Sequence, residues 1–187
     1  MLVTQDDALA EKLRILRSHG MTSMTWDRHR GHAWSYDVTA LGYNYRIDEI
    51  RSALGRVQLR KLDKNNAKRR QLTSLYREFL QELAPQLILP FDEAVGVSAC
   101  HLFPILLPKD VKRNEFMDHM KLQGIQTSIH YPPIHSFQAY ADMPHLPLPD
   151  TEDVASREVT LPLFALLTQD QVRTVAQAVQ GALIEQG

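Results

Sequence analysis

Cysteine and an excess of charge of either sign are the first things this sequence lacks. Its single cysteine, Cys100, cannot close a disulfide within the chain or form a thiolate metal cluster. Lys and Arg number 21 against 22 Asp and Glu, so the net charge is −1. That balance leaves no basic excess to neutralise a run of phosphates, and we expect no binding to nucleic acid.

Long apolar runs are also missing. None approaches the length that spans a bilayer, and Met1 is followed by Asp6 and Asp7 rather than by the basic and apolar regions of a signal peptide. We therefore expect a cytoplasmic protein without a membrane partner. Its 187 residues, 44% hydrophobic and 23% charged, have the composition of a folded domain rather than of a disordered chain.

Two familiar kinds of catalytic motif are absent as well. The sequence contains no HExxH or paired-cysteine pattern and no GxSxG turn for a nucleophilic serine. His29 with His32, or His130 with His135, offers two metal ligands each but no third at a recognisable spacing. We therefore predict no metal site and treat the histidines as solvated or hydrogen-bonded.

The first part of the chain reads as helical. Thr4 and Asp7 have capping-box spacing before a leucine-rich helix that ends at Gly20. The helical period returns from Ile47, and a second amphipathic helix is predicted with Asp63 as its cap. Between these helices lies an irregular segment rich in aromatic residues, of the kind that is more often functional than disordered.

The second part reads as mixed α/β. The predicted elements are a strand over Leu102–Leu107, a helix capped by Asp110, a strand over Ile125–Ile129, a helix near Thr151–Glu158, a short Leu161–Leu163 segment and a final helix capped by Thr168 with Gln171 at its third position. The predicted buried stripe of this final helix is Val172, Val175, Val179 and Leu183. The predicted division is thus a helical section, residues 1–84, followed by a small α/β domain, residues 85–187.

The segment Leu41-Gly42-Tyr43-Asn44-Tyr45-Arg46 is the first candidate for chemistry. It delivers an amide, two phenols and a guanidinium to a predicted helix N-terminus, where free backbone N–H groups bind anions. The alternative is that Asn44 caps the helix and the tyrosines pack.

The second candidate is His130-Tyr131-Pro132-Pro133-Ile134-His135. Two prolines stiffen the exit of a predicted strand, so that two imidazoles and a phenol project at defined angles. An ordinary rigid turn is the alternative explanation.

Five ordered segments together carry a family resemblance. They are Leu13–Gly20, Leu41–Ile50, Ala53-Leu54-Gly55 with Gln58-Leu59 and Lys61-Leu62-Asp63, Gly124–Thr127 with His130–His135, and Leu161-Pro162-Leu163. In this order the segments resemble the DegT/DnrJ/EryC1/StrS family of sugar aminotransferases, which depend on pyridoxal 5′-phosphate (PLP). The resemblance covers nearly all of this chain but only the second half of the family's fold.

The resemblance implies a fold and a missing part. It implies the C-terminal portion of an aspartate-aminotransferase-type (fold type I) PLP enzyme, with residues 1–84 as the tail of the large PLP-binding domain and its interdomain helices. The family's Schiff-base lysine lies upstream of the segment that matches Met1–Thr4, so we expect no catalytic residue in this chain. Surface lysines on predicted helices do not replace it, because a nucleophilic lysine must be desolvated.

The resemblance also implies roles for particular side chains. Asn44 would reach the cofactor phosphate in the active site of the partner subunit of a homodimer. Tyr43 and Arg46 would lie near the entering substrate, and His130, Tyr131 and His135 near the bound nucleotide-sugar or amino donor. Gly55, within a predicted helix, suggests close packing against a neighbouring element.

Two functions from different classes follow. The first is the C-terminal part of an aminotransferase of polysaccharide biosynthesis that moves an amino group from an amino acid, glutamate, to a keto nucleotide-sugar, and that is inactive alone. The alternative is a stand-alone, non-enzymatic module that binds a sugar nucleotide or a full-length homologue.

Overall fold

A computed structural model describes residues 2–22, 37–91, 96–140 and 142–186 of the chain. The chain forms two compact units, Met1–Arg60 and Lys61–Gly187. The division falls inside one long helix, whereas the predicted boundary at residue 84 lies just beyond the end of that helix. Among the described helices, none combines the length and the apolar character that a bilayer-spanning helix needs.

The first helix, α1, spans Asp7–Leu16. Its N-terminus is capped by Asp6, whose carboxylate accepts a hydrogen bond from the backbone N–H of Leu9 at 3.0 Å. The prediction of a Thr4 cap was therefore wrong by two residues, since the Thr4 hydroxyl instead accepts from the N–H of Asp6. No side chain within α1 is buried, although the helix is amphipathic.

The second helix, α2, runs without a break over 35 residues, Glu49–Leu83. The prediction of two helices with a cap at Asp63 was wrong, because Asp63 lies inside α2. No proline interrupts this helix. Leu72, Tyr76 and Leu80 bury one face of its second half. Gly55 does not mark close packing in the described part of the chain, since an added Cβ would meet no atom within 4 Å.

Two short antiparallel strands form the centre of the second unit. Strand β1, Phe103–Leu106, pairs with β2, Glu158–Leu161, in a register that places Ile105 opposite Val159. Single bridges extend the sheet on both sides, from Ile88 to Leu106 and from Ser128 to Thr160.

The predicted strand over Ile125–Ile129 is reduced to one of these bridges. Ser128 exchanges two backbone hydrogen bonds with Thr160, of 3.2 and 2.8 Å, and its neighbours do not continue the ladder. Only Ile125 of the three alternating apolar or threonine positions is buried. The alternation of residue types over Ile125–Ile129 therefore extends beyond the single residue, Ser128, at which backbone pairing occurs.

Helices and short 3₁₀ turns connect the two strands and follow the second one. They are α3, Arg113–Leu122; α4, Pro149–Arg157; α5, Gln169–Ile184; and the 3₁₀ turns Ile134–Ser136 and Gln138–Tyr140. The predicted capping box of the last helix is confirmed, because the Thr168 side chain accepts from Gln171 and the Gln171 side chain accepts from Thr168. The predicted Asp110 cap was wrong, since α3 begins after Lys112.

The apolar core belongs to the second unit. It joins the second half of α2, both strands, α3 and the inner stripe of α5, where the predicted Val172, Val175, Val179 and Leu183 are all buried. Tyr76 anchors α2 to this core: its ring stacks on Phe103 at 4.7 Å and its hydroxyl donates to the carbonyl of Pro162 at 2.9 Å. Burial raises the pKa of that phenol well above its usual range.

A pair of substitutions on α3 tests this core. Phe116 is fully buried, whereas Leu122 on the same helix is exposed. We expect Phe116→Ala to lower the free energy of unfolding by about 3–5 kcal/mol, because it removes a large buried side chain and leaves a cavity. Leu122→Ala should change it by no more than about 0.5 kcal/mol. Urea unfolding followed by circular dichroism measures both, and equal effects would contradict the packing described.

Candidate functional site

The segment that carries Asn44 crosses the C-terminal end of α1 and is held there by its backbone. The N–H of Tyr43 donates to the carbonyl of Leu16 at 2.7 Å, and the N–H of His19 donates back to the carbonyl of Tyr43 at 2.9 Å. A third bond joins the N–H of Tyr45 to the carbonyl of Arg17 at 2.9 Å. The bonds to Leu16 and Arg17 satisfy carbonyls that a helix end leaves without partners.

Two glycines make this crossing possible. Gly20 has φ of +72°, the left-handed conformation that closes a helix, and a Cβ there would lie 1.9 Å from the carbonyl oxygen of Ala40. A Cβ on Gly42 would lie 2.2 Å from the nitrogen of Gly20. The two backbone segments therefore approach each other so closely at Gly20 and Gly42 that neither position has room for a Cβ atom.

At this crossing the structure brings together Asn44, Arg46 and His19. The Nε of Arg46 donates to the Oδ1 of Asn44 at 3.3 Å, and one terminal guanidinium nitrogen lies 3.4 Å from the Nε2 of His19. Because arginine can only donate, His19 accepts at Nε2. Both side chains of the Asn44–Arg46 pair are exposed. The pair therefore presents an amide NH₂ group and a guanidinium on one surface.

The N-terminus of the helix that follows carries a carboxylate cap. Asp48 caps α2, since its carboxylate accepts from the backbone N–H of Arg51 at 2.8 Å and lies 3.2 Å from the Arg51 guanidinium. The alternative that Asn44 caps the helix was wrong, because α2 begins at Glu49 and Asn44 pairs with Arg46 instead. The expectation that this helix end binds an anion stays a prediction.

The two tyrosines of the segment contact each other. Their rings are parallel to within 9° and their centroids are 5.0 Å apart. Tyr43 is 57% exposed and Tyr45 is 74% exposed, so neither is part of a core in the described structure. The stack offers a flat, exposed aromatic surface on the segment that carries Asn44 and Arg46.

The second group of predicted residues lies in the second unit and is organised around His130. Its backbone N–H donates to Oε2 of Glu158 at 2.8 Å, and its ring Nδ1 lies 2.8 Å from the hydroxyl of Thr160. That hydroxyl in turn donates to Oε1 of Glu158 at 2.5 Å. Glu158 and Thr160 are both buried, and His130 is half-buried.

Tyr131 and His135 extend from the same turn in different surroundings. The Tyr131 ring meets the His130 ring edge-on at 4.9 Å and is 73% exposed. His135 instead lies 3.4 Å from the carboxylate of Glu152 and packs against His145 at 4.7 Å. The structure therefore brings His130 and Tyr131 together, whereas His135 belongs to a neighbouring cluster on the start of α4.

Sequence reasoning missed His19, Glu158 and Thr160. Glu158 was assigned to the end of a helix, yet it begins β2, and the run Glu-Val-Thr-Leu carries the signal that was overlooked. In a strand of that sequence Glu158 and Thr160 share one face, opposite the apolar Val159 and Leu161. This alternation predicts that Glu158 and Thr160 form a polar face of the strand. It does not predict that this face is buried.

Some predicted features lie outside the described residues. They are residues 23–36 of the predicted irregular aromatic segment, Trp26 and Trp34 among them, and the pair His29 and His32. Within residues 2–22, 37–91, 96–140 and 142–186, no three His, Cys, Asp or Glu side chains come together as metal ligands would.

Comparison with known proteins assigns the family. The model of the DegT/DnrJ/EryC1/StrS aminotransferase family matches residues 1–180, so the chain belongs to that family. SpsC of Bacillus subtilis, a spore coat polysaccharide biosynthesis protein, is 31% identical over 188 residues, which are 96% of this chain and 48% of SpsC.

Solved structures agree with this assignment. PseC of Helicobacter pylori, an aminotransferase involved in the biosynthesis of pseudoaminic acid, superposes with a TM-score of 0.87 and 29% identity over 98% of this chain and 48% of PseC. DesI, solved in the presence of its TDP-sugar product, has a TM-score of 0.81 and 25% identity over 98% of this chain and 46% of its own. The chain thus spans about half the length of these relatives.

The fold predicted from the resemblance is confirmed. The chain has the architecture of the C-terminal portion of a fold type I PLP enzyme, a helical segment with a small α/β unit. Family membership implies PLP as the cofactor. The residues at the α1 crossing fit its phosphate group, since Arg46 holds the carbonyl oxygen of Asn44 and leaves the amide NH₂ to donate.

The glycine crossing generates a direct test. Gly42→Ala should separate the two backbone segments and expose their hydrogen bonds, with a local loss of about 1–3 kcal/mol. Hydrogen exchange of residues 16–22 and 39–45 should therefore accelerate by roughly tenfold or more. Gly55→Ala is the matched control, because open space surrounds it and alanine should stabilise α2 by about 0.5–1 kcal/mol. Unchanged exchange in Gly42→Ala would contradict the close approach.

Proposed function

We propose that this chain is the C-terminal part of a cytoplasmic, PLP-dependent aminotransferase that moves an amino group from an amino acid, glutamate, to a keto nucleotide-sugar. The observation that carries the proposal is the Asn44–Arg46 pair on the exposed crossing of a chain that belongs to the sugar aminotransferase family. The TDP-sugar product of DesI and the biosynthetic roles of SpsC and PseC support the substrate class.

In this proposal residues 1–84 are the tail of the large domain and its interdomain helices, and residues 85–187 form the small domain. Asn44 donates its amide N–H groups to the cofactor phosphate in the active site of the partner subunit of a homodimer. The exposure of Asn44 and Arg46 supports a role across an interface, because donors that are fully paired inside their own unit would not be available to a neighbour.

Substrate recognition is assigned to the remaining predicted residues. Tyr43 and Arg46 lie on the surface that the substrate would pass, where a guanidinium binds a carboxylate or a phosphate and an aromatic face covers a ring. His130 and Tyr131 would contact the nucleotide-sugar from the small domain. His135 would contribute less directly, since Glu152 and His145 already surround its ring.

The cofactor, when bound, withdraws electrons from the carbon that carries the amino group. This step needs a lysine that binds the cofactor and moves a proton, and such a lysine must have a lowered pKa to act near neutral pH. All seven lysines of the sequence lie in the described structure, and only Lys68 is even half-buried. A hydrogen bond from Lys112 to Glu115 raises the pKa of Lys112, the opposite of what the reaction requires.

We therefore propose that the chain contains no catalytic lysine and is inactive by itself. Incubation with PLP, reduction with borohydride and peptide mapping by mass spectrometry test this directly. The expected result is weak labelling scattered over the exposed lysines, with the same pattern for pyridoxal, which lacks the phosphate. Stoichiometric labelling of one lysine by PLP alone would overturn the proposal and identify a catalytic amine in this chain.

A further inference from the structure

Glu158 is the one charged side chain that the described structure buries, and its surroundings are unusual for a carboxylate. It is 6% exposed, and no cation pairs with it among the described residues. A buried carboxylate is costly unless donors satisfy both of its oxygens. Here the donors are the Thr160 hydroxyl on Oε1 and the His130 backbone N–H on Oε2.

These contacts determine the direction of every hydrogen bond in the group. A carboxylate only accepts, so the single hydroxyl proton of Thr160 points to Glu158. The oxygen of Thr160 then has only lone pairs to offer to the His130 ring, 2.8 Å away. His130 must therefore carry a proton on Nδ1, which in the neutral form of the ring leaves the lone pair on Nε2.

We propose that Glu158 and Thr160 are positioning residues that hold His130 in the Nδ1–H tautomer, so that Nε2 accepts a hydrogen bond from a hydroxyl group of the bound sugar. The sugar as donor rests on the proposed function, whereas the tautomer rests on the contacts alone. Nε2 has no hydrogen-bond partner among the described residues and is not among their buried unpaired atoms, and the exposed ring of Tyr131 lies edge-on to the imidazole.

The hydrogen bonds from His130 Nδ1 to Thr160 and from Thr160 to Glu158 form a relay. If the proposed tautomer is correct, the isosteric substitution Glu158→Gln should reverse the direction of this relay. In Glu158→Gln the backbone N–H of His130 still needs an acceptor, so the amide oxygen must face it. The amide NH₂ then faces Thr160, whose hydroxyl accepts from it and turns its own proton toward Nδ1 of His130. The ring should therefore change to the Nε2–H tautomer.

The tautomer is read from the ring ¹⁵N chemical shifts of the uniformly labelled full chain, correlated with the ring C–H protons at a pH where the imidazole is neutral. We expect a protonated Nδ1 in the unaltered chain and in Thr160→Ser, which keeps the hydroxyl. We expect a protonated Nε2 in Glu158→Gln. Thr160→Val removes the acceptor of the Nδ1 proton, so both tautomers should be populated.

The chain contains its own matched control. His119 Nδ1 lies 2.8 Å from the exposed Glu185, an independent histidine–glutamate pair on α3 and the end of α5. Glu185→Gln should alter the His119 resonances and leave those of His130 unchanged. Unchanged His119 resonances in Glu158→Gln should in turn show that the second unit is still folded.

Two results would overturn the inference: a proton on Nε2 of His130 in the unaltered chain, or an unaltered Nδ1–H tautomer in Glu158→Gln. Neither measurement uses cofactor, substrate or activity. A failed tautomer change therefore refutes the relay and leaves the proposed aminotransferase function standing. Stoichiometric lysine labelling would instead revise that function and leave the relay unaffected.

Discussion

The position of the apolar core is the constraint on which the rest of the structure depends. Every buried hydrophobic side chain of the described structure lies between Leu72 and Leu183, and none lies in residues 2–22 or 37–60. Burial of apolar area is the dominant favourable term in folding. The first unit instead relies on backbone hydrogen bonds across the Gly20 and Gly42 crossing, each with a net contribution of about 0.5–1.5 kcal/mol. We expect a unit built in this way to need another surface against its exposed apolar side chains.

This constraint unites the fold with the proposed function. Exposed apolar residues in the first half of α2, Ile50 and Leu54 among them, and the exposed donors Asn44 and Arg46 occupy the same unit. In the proposed function, the remainder of a large domain and a second subunit cover these residues; the relatives are about twice as long as this chain. His130, by contrast, is hydrogen-bonded to Glu158 and Thr160 in a unit that has its own apolar core. The two groups of proposed site residues therefore differ in how completely this chain alone positions them.

Local signals predicted local structure well. The Thr168 and Gln171 capping box and the buried stripe of α5 follow from short-range chemistry and are confirmed. Errors arose where distant residues decide. Asp63 resembles a cap, but α2 runs past it without a break, and the site contacts join His130 to Glu158 and Thr160 across 28 and 30 positions. The residue types in Tyr43–Arg46 were recognisable from sequence, whereas the choice of Asp48 over Asn44 as the helix cap required the backbone path.

Analytical ultracentrifugation of the purified chain over a concentration series, with parallel binding of a hydrophobic dye, tests the central claim that the first unit needs a covering surface. The account predicts concentration-dependent association and dye binding. Both should weaken in the double variant Ile50→Lys and Leu54→Lys, which changes two exposed apolar side chains one turn apart on α2, but not in Gln58→Lys, which adds charge at a polar position. A chain that is monomeric at every concentration and binds no dye would contradict the account and favour a stand-alone binding module.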